Sequence, residues 1–137
     1  MRKLLLAVLA GLALAAGPAG AATPTVRLAI LHVVSGCHVW ATAVGRQLGT
    51  ATTVTVKHGG RVEIRPNCPM DFDFAQVKGP KVALGGARIY HGTARTLVFK
   101  KAGTYVFTAR NVQTPEEVGL QTIGETNSPI TLTVKVT

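Results

Sequence analysis

An all-β fold, an antiparallel β-sandwich of seven or eight strands, is what this sequence predicts, and three observations predict it. Short runs rich in Val, Ile, Thr and aromatic residues alternate apolar with polar positions. Turns carrying glycine or proline separate those runs at close spacing. Helical periodicity is nearly absent beyond the first 21 residues. Alternation with period two marks a half-buried strand, and many short strands between turn signals mark a sandwich.

Residues 1–21 read as a secretory signal peptide rather than as fold. Arg2 and Lys3 form a basic start, Leu4 to Ala16 an apolar run too short to span a bilayer with ease, and Ala19-Gly20-Ala21 a small-residue cleavage site. The expected location is therefore periplasmic or extracellular. Residues 22–137 are one domain's worth of chain.

The strands follow in order. Thr25 to Val34 places Val26, Leu28, Ile30 and His32 on one face. Trp40 to Gly49 reads as a loop or irregular crossing. Thr50 to Lys57 has the Thr/Val composition of a strand, and His58-Gly59-Gly60 turns the chain into Arg61 to Arg65, with Val62 and Ile64 inward. Pro66 and Pro69 bracket a corner, since neither can donate to a ladder. Met70 to Val77 leaves that corner with Met70, Phe72 and Phe74 opposite Asp71 and Asp73. Arg88 to His91, Thr93 to Lys100, Thr104 to Thr108 and Pro129 to Val136 complete the set. Within the long loop 110–128, Thr114-Pro115-Glu116-Glu117 has the capping threonine, first-turn proline and glutamate of a helix start. One short helix is expected there, before the last strand.

Charge and cysteine content limit the functions available. The whole chain carries a net charge of +9, with 15 Lys and Arg against six Asp and Glu. The basic residues are scattered singly, with only Lys100-Lys101 adjacent, so nucleic acid is not expected as a partner. A weak attraction to an anionic envelope surface is compatible with the balance. No nucleophile–base–orienter set, phosphate-cradling glycine loop or catalytic carboxylate pair is visible, and enzyme activity is not expected. Cys37 and Cys68 allow one disulfide in an exported chain. Closing that loop would stabilise the fold by about 3–4 kcal/mol in the chain-entropy account.

Three segments resemble the cupredoxin family of small exported copper proteins. Val56 to Asn67 looks like its glycine–strand–asparagine segment, and Asp71-Phe72-Asp73-Phe74 sits where the family carries its first histidine ligand. Phe99 to Phe107 looks like its penultimate hairpin, F-x-x-x-G-x-Y-x-F. The likeness extends to divergent exported domains such as that of the iron-uptake component EfeO. It implies a cupredoxin-like sandwich with ligands at one end. The ligands themselves depart from the pattern: Phe72 falls at the first histidine, Ala109 at the cysteine, and residues 110–128 hold no Cys, His or Met. Blue-copper electron transfer is thus not expected.

The residues offer a different set. In such a sandwich the end of the first strand lies near the corner at Cys68, which would gather Cys37, His38, Cys68 and Met70. Thiolate, imidazole and thioether suit copper(I). Trp40 could shield the ion, and His91 is a further candidate at the same end. Two functions remain open. One is a carrier or scavenger of copper or another soft metal. The other is a metal-free interaction module, stapled by Cys37–Cys68, meeting an unknown protein partner through loop 110–128.

Overall fold

The computed structural model describes residues 20, 22–33, 38–112 and 128–137. Apart from Gly20, the expected signal segment lies outside these residues, as do the expected helix and Cys37. The sandwich itself is borne out, with corrections to its strand count and pairing.

Ten strands appear among the described residues: β1 Thr25–His32, β2 His38–Thr42, β3 Gln47–Gly49, β4 Ala51–Val56, β5 Arg61–Pro66, β6 Asp71–Lys78, β7 Arg88–Ile89, β8 Arg95–Val98, β9 Gly103–Val112 and β10 Ile130–Val136. They form two five-stranded sheets, ordered β3-β2-β1-β5-β8 and β4-β10-β9-β6-β7. The sheets are mixed rather than purely antiparallel, because β1 runs parallel to β5 and β4 parallel to β10. The stretch 40–49, expected as loop, instead supplies most of β2 and all of β3. Strand β9 continues to Val112, three residues into the expected loop.

Inward alternation fills the space between the sheets. Ile30, Trp40, Val62, Ile64 and Leu97 from the first sheet are at most 1% exposed, as are Phe72, Tyr105, Phe107, Leu132 and Val134 from the second. Phe74 stacks on Phe107 at 5.3 Å, and Phe99 meets Tyr105 edge-on at 4.9 Å. Each such aromatic pair contributes about 0.5–1.5 kcal/mol beyond its buried area. Between β3 and β4 the chain passes from one sheet to the other at Gly49, whose φ of 96° is costly for other residues.

Register defines the two ends of the sandwich. The end of β1, the start of β2, the corner after β5 and the segment after β7 lie at one end, with the exit of β9. The turns 57–60 and 99–103 lie at the other.

Candidate metal centre

His38 is the most constrained polar side chain at the first end. It opens β2 and pairs across the ladder with His32. The two rings meet edge-on at 5.1 Å, and His38 meets Phe72 in the same way at 5.1 Å. It is the single buried polar residue among those described, 7% exposed, and its Nε2 has no hydrogen-bond partner. Burial, then the neighbouring His32 charge, lowers its pKa from 6.5 to about 4. His38 is therefore a neutral imidazole at physiological pH. It belongs to a strand and packs on Phe72 and His32.

Cys68 sits in the corner between β5 and β6. Pairing of Ile30 with Pro66, and donation from the Asn67 N–H to the Ile30 carbonyl at 2.9 Å, tie this corner to the end of β1. The thiol is free and buried. Burial pushes its pKa up, and backbone hydrogen bonds at Met70 and Cys68 partly offset this. Two residues on, Met70 packs half-buried against the core, with the Asn111 amide nitrogen 4.0 Å from its sulfur. Asn111 stands across from Phe72 in the ladder, so β9 brings it to the thioether.

The remaining candidates fall elsewhere. Trp40 is fully buried in the core and its Nε1 is without a partner, so it anchors the sandwich rather than shielding its rim. His91 is exposed, and Asp71 holds it twice: one carboxylate oxygen accepts the His91 N–H at 2.9 Å and lies 3.0 Å from Nδ1. Those bonds, the backbone one foremost, keep the Asp71 carboxyl below the usual range. Asp73 pairs with Arg88 at 3.1 Å. The two aspartates are thus engaged with separate neighbours, His91 and Arg88, and do not form a joint cation site.

Among the described residues no group of three or more His, Cys, Asp or Glu side chains is arranged to hold a metal ion. The register gathers His38, His32, Cys68 and Met70 at one end, while Cys37 lies outside the described residues. Phe72 and Ala109 are 0% and 1% exposed, and Ala109 lies opposite Phe74 and Ile130 within the sheet. Both are packed into the core, and neither side chain carries a metal donor atom. The donors present are a neutral imidazole, a thioether and a thiol, whose softness fits copper(I). Sequence reasoning missed His32 against His38 and Asp71 against His91. The first was visible only as a histidine on the alternating face of a strand. The second required the β6–β7 pairing.

No family model matches the chain, and no curated protein matches it. Among solved structures it is similar to amicyanin from Paracoccus versutus, at 19% identity over 88% of this chain and 87% of that one, with a TM-score of 0.43. A copper(I) form of an amicyanin variant is similar at 17% identity, over 87% and 88% of the two chains, with a TM-score of 0.45. A cysteine protease inhibitor from Entamoeba histolytica is similar at 14% identity, over 64% and 85%, with a TM-score of 0.41.

Proposed function

We propose that this chain is an exported, cupredoxin-like metal-handling protein, of the divergent kind that resembles the EfeO domain. It holds copper(I), or another soft ion, as cargo through His38, Met70 and Cys68, with Cys37 as the second thiol. It acts as a carrier or scavenger and not as an enzyme or a blue-copper electron carrier. The observation that carries this reading is the buried His38 nitrogen without a hydrogen-bond partner. An unpaired buried polar atom costs about 1–3 kcal/mol, and a ligand that meets it recovers that cost.

Each side chain has a separate task. His38 offers its lone pair without competition from protons above about pH 4. Met70 adds a neutral sulfur that needs no proton removed. Cys68 is held as a thiol and must release a proton when it binds, so uptake by this set is coupled to pH. Phe72, packed on His38, limits water at the imidazole.

The metal-free module stapled by Cys37–Cys68 is the competing reading. A copper(I) competition titration on protein lacking residues 1–21, with thiols counted before and after reduction, separates the two. Stoichiometric binding by the reduced protein, lost in His38→Ala, supports the metal reading. Absence of binding in both redox states, with no free thiol as isolated, overturns it. Full copper affinity in His38→Ala would remove His38 from the site.

A further inference from the structure

The opposite end of the sandwich carries a second surface that the metal reading does not use. Strand β8 is the last strand of its sheet, hydrogen-bonded to β5 alone. Phe99 donates its N–H to Gly60 at 3.0 Å and accepts from Gly59 at 2.7 Å. Backbone direction alternates along an antiparallel strand. Leu97 and Arg95 therefore face β5 as Phe99 does, and Thr96 and Val98 turn their N–H and C=O groups outward. Neither residue has another backbone partner among the described residues.

A cleft of about 490 Å³ opens along this free edge, lined by Thr96 and Val98 on one side and by Val82 and Ala83 on the other. Tyr105 forms part of its lining and is held there by donation from its hydroxyl to the Lys101 carbonyl at 2.6 Å. Lys81, Lys100 and Lys101 stand around it. The three described acidic side chains, Glu63, Asp71 and Asp73, each have a partner of their own in Arg27, His91 and Arg88. Among the described residues none of the three lysines forms an ion pair with an acidic side chain. Val98 is left 40% exposed.

From this arrangement we infer that the cleft beside β8 binds an acidic peptide segment of a partner protein, in extended conformation, as an added strand. Thr96 and Val98 supply the ladder bonds, Val82 and Val98 receive alternate apolar side chains, and the lysines receive the acidic ones. This is strand addition at an open sheet edge, in which backbone bonds give affinity and flanking pockets give selectivity. Lysines alone would only discourage edge pairing. Here they border a cleft already wide enough for a ligand and lined by apolar surface, and their charge is complementary to an acidic segment. The inference is independent of metal binding.

The test uses an N-acetylated, C-amidated decapeptide alternating Glu and Val, titrated into isotopically labelled protein at 50 mM salt. The expected result is saturable binding, with amide shifts centred on Thr96, Val98, Lys100 and Lys101 and slowed exchange at the Thr96 and Val98 amides. Affinity should fall tenfold or more in the Lys100→Glu, Lys101→Glu double variant, and an alternating Lys and Val peptide should not bind. Absence of binding by the acidic peptide would overturn the inference. Equal binding by an analogue N-methylated at alternate amides would overturn strand addition. Preferential shifts with dodecanoate at the same residues would make the cleft an amphiphile site and also overturn it. Should the double variant fold poorly, Lys81→Glu, on the facing segment, provides the same charge reversal without touching the 99–103 turn.

Discussion

At the scale of single residues, His38 sets stability against function. An imidazole with an unpartnered nitrogen is a poor core residue, and a leucine would fill much of its space without a polar atom to satisfy. His38→Leu is expected to raise stability at pH 7 by about 1 kcal/mol while abolishing copper(I) uptake, checked by denaturant unfolding beside the competition titration. The pH dependence follows from the depressed pKa. Above pH 6.5 the imidazole is neutral in both folded and unfolded chains and adds no slope. As pH falls below that value the unfolded chain binds a proton that the folded one refuses until about pH 4. Stability is therefore lost across that window, by up to about 3 kcal/mol, and the loss levels off below it. The leucine variant should lack this component of the slope, and an identical pH profile in the variant would assign the acid sensitivity to other groups. Cys68 behaves in the reverse sense. Its thiol is pushed up, so each thiolate ligand should strengthen copper binding tenfold per pH unit between pH 5 and 8. Removing Cys68 as Cys68→Ser should flatten that dependence by one proton, read from competition titrations at several pH values.

Strands and their connections show where local sequence suffices and where it does not. The alternation in Arg61–Pro66, Asp71–Lys78 and Ile130–Val136 marks both strand and inward face, and the burial patterns follow it. Parallel pairing of β1 with β5 and of β4 with β10 was not legible, because it joins segments far apart in the chain and leaves no local mark. Trp40 to Gly49 reads as loop because Gly45 and Gly49 punctuate it, yet Gly45 turns β2 into β3 and Gly49 ends β3. At the candidate site, the residue types were legible and their neighbours were not: Cys68 and Met70 could be chosen by softness, but His32 beside His38 is a consequence of hairpin register. One connection carries a strong backbone constraint. Gly79 has φ of 101°, and a Cβ there would lie 2.5 Å from the Thr104 carbonyl oxygen. Gly79→Ala should cost about 2–4 kcal/mol, since both the conformation and the fixed backbone neighbour oppose it. Gly92 has φ of 70° but open space around its Cβ position, so Gly92→Ala should cost only about 1 kcal/mol. Equal melting temperatures for the two variants would remove the Thr104 contact as the cause.

For the whole molecule, the sandwich separates two chemistries by its own length. The donors proposed to hold the metal lie where β1 and β5 end, and the lysine-bordered cleft lies where β5 begins and β8 ends. Six residues of β5 at about 3.3 Å each put roughly 20 Å between them, beyond the ~8 Å over which charges interact strongly in physiological salt. Between the ends stands a close-packed aromatic and aliphatic core with no described hinge in it. Coupling between sites requires an element with two arrangements that each ligand favours differently, and none is visible here. The two sites should therefore act independently. Copper(I) loading should change the affinity for the acidic Glu and Val peptide by less than twofold. The Lys100→Glu, Lys101→Glu variant should likewise bind copper(I) as the parent protein does. A larger effect in the first experiment must, by linkage, appear with the same factor when peptide is held saturating and copper affinity is measured. Finding it in both directions would mean that the sandwich transmits strain along β5 or β9, and that delivery of the cargo is governed by the partner.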